Sequence, residues 1–288
     1  MRFFVTLLLC FFLLAFVYRF RSLHSAPYNN SAVIKNSELD EISGLVCSSK
    51  NKNLIWVHND GRKNLSLYLI DTLGNTVKTF TSNSKVLDFE DIAIDTGVVN
   101  GISYIYAGDI GDNFRWRSTI SVYRIPEPGK GDNSILPGIE EIKLTYPDGS
   151  RDAEAMFADP ISKQLYILSK REQKVGIYAV PLTVKANKTY KMRKLGELEV
   201  YGEGDSKWIT GADISRDGLK ILVRTYANVF YWNRRRTETI EQALKSKPAI
   251  LKCKYESQGE AIGFKPGDRF FYSVSEGDDP FLNLNSIR

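Results

Sequence analysis

"RDAEAMFADP", residues 151–160, carries the reading of the fold. An acidic residue, Glu154, stands at the mouth of a short apolar run that reads as a buried strand. Asp159-Pro160 then ends the run as a turn. Burying one carboxylate there is costly, and a single instance would say little. The arrangement recurs in "EISGLVCS" from Glu41, "FEDIAIDT" from Phe89, "TGADISRDG" from Thr210 and "GEAIGFKPG" from Gly259. A second apolar run follows each time, as "LIWVHND", "YIYAGDIGDN", "LYILSKRE", "KILVRTYAN" and "FFYSVSEG", and each ends in charged or hydrogen-bonding residues. Ser43 to Asn59, Glu154 to Lys170, Thr210 to Tyr226 and Glu260 to Glu276 are each separated by 16 positions. Glu90 to Asp109 takes 19, and the extra turn "VVNG" accounts for the difference.

Third runs ("LYLIDTLG", "SVYRIPEP", "VGIYAVPL", "NVFYWN", "FLNLNSI") and fourth runs ("TVKTF", "EIKLTY", "KLGELEV", "AILKCKY") extend the units. Four short strands repeating every 45–65 residues or so is the pattern of a β-propeller. The chain is therefore expected to be all-β, a five-bladed β-propeller over 41–288. Residues 27–40 read as a linker and closing strand, and 1–26 as a hydrophobic leader helix. The fifth unit shows no fourth run, and "SAVIKN", residues 31–36, is expected to supply it and close the ring. No sixth copy is found, and a β-sandwich would not produce a constant offset.

The chain has 288 residues and a formal charge of +5. Arg2, Arg19 and Arg21 lie in the leader, which holds no acid, so the rest carries about +2. That balance argues against a polyanion partner. "RRR" at 234–236 reads as a solvated turn between strands, and no aromatic platform is interleaved with it, so no nucleic-acid partner is expected. The apolar stretch "FFVTLLLCFFLLAFVY" suits a signal peptide, with an uncleaved signal anchor as the competing reading. Both put the propeller outside the cytosol, either secreted, in the secretory lumen or membrane-anchored. Membrane contact is then expected only through an uncleaved leader. Sequons at Asn29, Asn64 and Asn187 agree, the last two falling in expected connections. Cys47 is placed on an inner strand and Cys253 on an outer one, which argues against a bridge. His24 and His58 are the only histidines, so a cysteine–histidine zinc site is not expected.

In a propeller the first strand of each blade lines the central channel, so the repeat predicts two rings on one face. The inner ring is Ser43, Glu90, Glu154, Thr210 and Glu260. The outer ring holds His58, Asn59, Asp60, Asp109, Asp112, Asn113, Lys170, Arg171, Arg224, Thr225 and Glu276. Three inner carboxylates around a narrow channel repel one another, so either some are protonated or a cation sits between them. A hard divalent ion held by oxygens suits the set, and calcium suits a wide mouth better than magnesium. The alternative is that the glutamates cap backbone amides or pair with outer-ring cations. Likewise Asp109 and Asp112 in "GDIGDN" also read as turn-stabilisers, and His58 as a hydrogen-bonded wall residue. Trp56, Trp208 and Trp232 read as packing between blades.

The order Ser, Glu, Glu, Thr, Glu in "EISGL", "EDIAI", "EAMFA", "ITGAD" and "GEAIGF" resembles the inner ring of calcium-activated apyrases. Those are five-bladed propellers with a central calcium that hydrolyse nucleoside di- and triphosphates. "LIWVHND", "DIGDN", "VYRIPEP", "YPDGSRDAEA", "TGADISRDG" and "QGEAI" are similar to a widespread group of secreted propeller proteins without an established activity. The apyrase likeness implies a calcium on Ser43, Glu90, Glu154, Thr210 and Glu260. It also implies a phosphate cradle of Lys170, Arg171 and Arg224, and a water oriented by Asp60, Asp109 or Asp112. Asn59, Asn113 and Glu276 would complete a small anionic ligand's surroundings. Departures from the apyrase pattern stand at Asn59-Asp60, where paired acids are usual, and in "DNFRW".

Two functions follow as expectations. One is a calcium-dependent hydrolase of phosphorylated or anionic small molecules. The other is a non-catalytic ligand- or protein-binding propeller in which calcium is structural, motivated by the lack of a nucleophile–base–orienter set. A metal-using lactonase ranks below both. Substrate and oligomeric state are not legible.

Overall fold

The structure, a computed structural model, describes residues 30–61, 63–254, 256, 258–277 and 280–287. The leader and the Asn29 sequon lie outside them. The ladder begins with β1 (Asn30–Val33), followed by β2 (Ile42–Cys47), β3 (Leu54–Asn59), β4 (Asn64–Asp71) and β5 (Thr76–Lys85). Strands β2 to β5 form the first four-stranded antiparallel sheet. The second contains β6 (Phe89–Val99), β7 (Ile102–Asp109), β8 (Ile120–Pro126) and β9 (Glu140–Thr145). The third is β10 (Ala153–Asp159), β11 (Gln164–Ser169), β12 (Lys174–Pro181) and β14 (Arg193–Glu199); the short β13 (Thr189–Lys191) instead joins β9 of the second sheet in parallel. The fourth is β15 (Ile209–Ile214), β16 (Lys220–Thr225), β17 (Val229–Asn233) and β18 (Ala249–Leu251). The fifth is β19 (Gly259–Phe264), β20 (Phe270–Ser275) and β21 (Phe281–Ser286), and β1 pairs antiparallel with β21, Asn30 opposite Leu284. A single turn and a half of helix, α1 (Ile240–Leu244), starts on a Thr239–Gln242 capping box. Among the described residues no helix is long and apolar enough to cross a membrane.

Each first strand packs on the first strand of the next blade, and β19 on β2, so the five sheets form a ring. The inner strands are buried on both faces, β10 along its whole length, and so read as near-continuous apolar runs. The outer β5 is half-buried or exposed except at Phe80, which enters the core between the first and second blades. Five apolar clusters fill the five gaps between neighbouring blades. Trp56 lies in the gap between the first and second blades and Trp232 in that between the third and fourth. Burying such rings dominates the packing energy, at about 25 cal/mol per Å² of apolar area.

One irregularity recurs in all five blades. The ladder between first and second strands shifts between Ile42 and Gly44, Phe89 and Asp91, Ala153 and Ala155, Ile209 and Gly211, and Gly259 and Ala261. The residues passed over are Ser43, Glu90, Glu154, Thr210 and Glu260. A bulge leaves one residue out of the ladder and re-aims its side chain. The sequence repeat is therefore a repeat of bulges at the channel mouth.

Buried polar side chains staple the blades together. Glu127 accepts hydrogen bonds from Ser48 Oγ (2.5 Å), Trp56 Nε1 (2.9 Å) and Ser103 Oγ (2.8 Å). Arg234 corrects one expectation. It is not part of a solvated turn but is buried, donating to Asp159 Oδ2 at 2.9 Å across the gap between the third and fourth blades; Arg235 beside it is exposed. Cys253 lies beyond the end of β18 rather than on it, and both Cys47 and Cys253 are free. Asn64 is exposed at the start of β4, and Asn187 is exposed in the connection before β13.

Candidate functional site: the channel mouth

The five bulged residues share one end of the channel, and all five are buried. Ser43 Oγ donates to the Glu90 carbonyl at 2.5 Å and Thr210 Oγ1 to the Gly259 carbonyl at 2.8 Å, each bridging to the next blade. The three glutamates face a cation that the chain itself supplies. Lys170, 4% exposed, forms an ion pair with Glu154 and donates to Tyr226 Oη at 3.1 Å. Burial works against its charge, but Glu154, Tyr226 and Glu260 outweigh it and hold its pKa above the ordinary lysine value.

The other two expected phosphate-binding cations are also engaged. Arg171 pairs with the buried Asp152, donates to Asn113 Oδ1, and stacks its guanidinium 4.3 Å from the Trp208 ring. Arg224 pairs with Glu256 at 2.5 Å, and Glu256 in turn accepts from Ser273 Oγ and Asn283 Nδ2. This group lies in the gap between the fourth and fifth blades. Asp109 accepts from the Leu87 and Asp88 amides at 3.2 and 3.0 Å and from Arg117 Nη1 at 2.8 Å. Asp112 accepts from the Trp116 and Arg117 amides at 2.9 and 2.7 Å. Both thus brace the loop after β7. His58 is buried, stacked 3.6 Å over Phe89 and pushed down to about 3 by burial, so it is a neutral wall residue. A Cβ on Gly44 would lie 2.2 Å from its Nε2, which explains the glycine there. Asn59 Nδ2 donates to the Glu38 carbonyl and, at 3.2 Å, to Asp40.

Beside these pairs gather carboxylates that make no ion pair among the described residues. Oxygens of Asp60, Asp88 and Glu90 all lie within 4.8 Å of one another. Asp60 comes from the end of the second run of the first blade, Glu90 from the bulge of β6, and Asp88 from the turn entering β6. Asp88 stands two positions ahead of Glu90, as Glu41 does ahead of Ser43 and Asp152 ahead of Glu154, so its signal lies in the repeat, just before the residue that the ring was read from. Gly111 lets its loop close over the group: a Cβ there would fall 2.1 Å from Glu90 Oε1 and 2.6 Å from Asp88 Oδ2.

The electrostatics follow from burial and crowding. Burial and the neighbouring Glu154, Asp60 and Asp88 hold Glu90 well above the carboxylate range. Burial and Asp60 push Asp88 up to about 6. Burial and Glu154 push Glu260 up to about 9, and burial with Asp60 raises Glu276 to about 7. Glu154 is also raised by burial, with Lys170 opposing. Glu90 is 4% exposed, and its carboxylate makes no ion pair among the described residues. Glu260 Oε2 is buried with no hydrogen-bond donor among the described residues. Three hard oxygen donors at this spacing fit a hard divalent cation such as calcium, with neither nitrogen nor sulfur in the set. Of the expected inner-ring ligands, Glu90 belongs to this group. Glu154 and Glu260 lie on the side of Lys170.

No protein-family model and no curated protein matches this sequence. Among solved structures, a chain of the crystal structure of a nidogen/laminin complex is similar at 13% identity and a TM-score of 0.44, over 81% of this chain and 72% of that one. A likeness of that size carries no argument about function. The strand order and the ring establish the chain as a five-bladed β-propeller.

Proposed function

We propose that this chain is a calcium-binding propeller acting outside the cytosol as a binding module, with the ion on Asp60, Asp88 and Glu90. The observation that carries the reading is the Glu90 carboxylate, buried in a bulge beside two other carboxylates, with no ion pair among the described residues. Leaving such a group charged and uncompensated is costly, and a bound divalent ion removes the cost. The binding reading is preferred to the hydrolase reading because Lys170, Arg171 and Arg224 already neutralise Glu154, Asp152 and Glu256. Asp109 and Asp112 are similarly occupied by amides and Arg117. Extracytoplasmic placement rests on the apolar leader and the exposed Asn64 and Asn187. The pairing of β1 with β21 is the proposed clasp of the ring.

Calorimetric titration of the metal-free chain with calcium should show one site. At a hundredfold excess over Kd the fold should gain about 2.7 kcal/mol. Asp88→Asn and Glu90→Gln should abolish that gain. A chain that binds no calcium and melts alike with and without it would sink the proposal. Chelator-sensitive phosphate release from nucleotides would replace the binding reading by the hydrolase one.

A further inference from the structure

The outer edges of the first two blades are covered, and that of the third is open. Thr81 of β5 donates its amide to the Ser134 carbonyl and accepts from the Leu136 amide, both at 2.9 Å, so Ile135 lies parallel to β5. On β9, residues Lys143 to Thr145 pair in parallel with β13. In both cases the segment that leads into the fourth strand of the next blade closes the edge of the blade before it. For β14 that segment is the one ahead of β18. It does not run as a strand but folds as α1, fixed locally by the Thr239–Gln242 capping box. Ile240, Ala243 and Leu244 of α1 pack with Leu198 of β14 and Trp232 in the core between the third and fourth blades.

This diversion leaves a groove of about 760 Å³, with β14 along one side and the turn from Lys245 to Pro248 along the other. Among the described residues no strand pairs with the outer edge of β14. The backbone groups of such an edge are a template for another strand. From Gly196 to Glu199 the ladder between β14 and β12 runs without a shift, so the edge is regular there. A Cβ added at Gly196 would meet nothing within 4 Å.

Charge identifies the occupant. Lys174, Lys245 and Lys247 line the groove, are exposed, and make no ion pair among the described residues. Lys194 is already held by Asp148 and Glu197. Glu199 is the one lining acid without such a pair among the described residues. Tyr201, 53% exposed, and the half-buried Leu195 add apolar surface. We propose that the outer edge of β14 receives an extended segment of a partner protein in which aspartate or glutamate alternates with apolar residues. The segment adds to β14 as β13 adds to β9, by main-chain hydrogen bonds. Its carboxylates face Lys174, Lys245 and Lys247, and its apolar side chains lie over Leu195 and Tyr201. Complementary charge of this kind sets specificity and association rate. A second copy of the same edge would set lysine against lysine. The inference goes beyond the cation seat and shares no residue with it.

The test uses the full chain and a labelled synthetic peptide alternating glutamate and valine, read by fluorescence anisotropy. One control replaces every glutamate by lysine. The other keeps the side chains but is N-methylated along its backbone, so it cannot join a ladder. The first peptide should bind about tenfold or more tightly than either control. A Lys245→Glu/Lys247→Glu double variant should lose about as much affinity with its melting temperature unmoved, since both side chains are exposed. If the variant misfolds, hydrogen exchange of the wild-type chain decides: the first peptide should slow the amides between Gly196 and Glu199. Equal binding of the N-methylated peptide, an unaffected double variant, or no slowing at β14 overturns the inference. So does concentration-dependent self-association lost in the variant, which would make a second copy the occupant. Calcium titration of the same samples separates the readings. Loss of calcium binding alone removes the cation seat, whereas failure of the peptide alone removes the docking edge.

Discussion

Glu90 and Asp91 are adjacent on β6, both buried, and their surroundings differ completely. Asp91 accepts from its neighbour's amide, Ile92 N at 2.8 Å, and from Met156 N of the next blade at 2.7 Å. Asp213 of β15 repeats the arrangement with Ile214 N and Phe264 N at 2.8 and 2.7 Å. Below the mouth, then, the protein satisfies its own carboxylates, and they staple blade to blade. At the mouth the bulge turns Glu90 away from the ladder, toward Glu154, Asp60, Asp88 and the Lys170 charge, and it makes no ion pair among the described residues. The contrast separates acids that hold the ring together from acids left open to something else.

The sharpest way to break this contrast is to remove the ammonium on which the mouth depends. Lys170→Ala leaves Glu154 buried and unpaired, and should cost about 3–5 kcal/mol in urea unfolding. Calcium should recover part of that loss; a change below about 1 kcal/mol would mean that Lys170 does not hold the mouth. Asp91→Ala should cost less, about 2–3 kcal/mol, by orphaning two buried amides. Its calcium affinity should be unchanged, and a loss of calcium binding in this variant would merge the two classes of acid.

Glu90→Gln is expected to act in the opposite direction. With a folded-state pKa raised by burial, the ionised carboxylate destabilises the metal-free fold, so the amide should stabilise it by about 1 kcal/mol. It should also remove the response to calcium. A destabilised metal-free variant would show that Glu90 is structurally satisfied. The smallest effect is the pH profile. Asp88, Glu276 and Glu260 have folded-state values raised to about 6, 7 and 9, so the fold holds their protons more tightly than the unfolded chain. Their contribution is full below the ordinary carboxylate range and is lost as pH rises through those values. Without calcium, stability should therefore fall from mildly acidic to alkaline pH, and saturating calcium should flatten or reverse the slope. A metal-free chain whose stability rises over that window would contradict the assignment.

The repeat led to the ring because a bulge at the same place in every first strand leaves the same trace, a polar residue ahead of an apolar run. The 16-residue offset between rings corresponds to the ladders that pair Ala153 with Ser169, Ile209 with Thr225 and Gly259 with Ser275; in the first blade Ile42 pairs with Asn59, 17 apart, so Asp60 rather than Asn59 takes the place of Lys170 there. Asp88 escaped although Glu41 and Asp152 occupy the same place in their blades, because only the residue directly ahead of each apolar run was read as facing the channel. Arg234 escaped because a basic triplet looks the same whether one member is buried against Asp159 or all are solvated.

What the amino-acid order determined alone was the number of blades, the strand that lines the channel and the residue of each blade that faces its mouth. These follow from alternation and turn chemistry, which act between near neighbours in the chain. Tertiary structure alone decided which charges meet: Lys170 with Glu154, Arg224 with Glu256, and Asp60 and Asp88 beside Glu90. Long side chains choose partners across the gaps between blades, and the balance between burial and Coulomb attraction that sets those choices depends on distances no linear pattern contains.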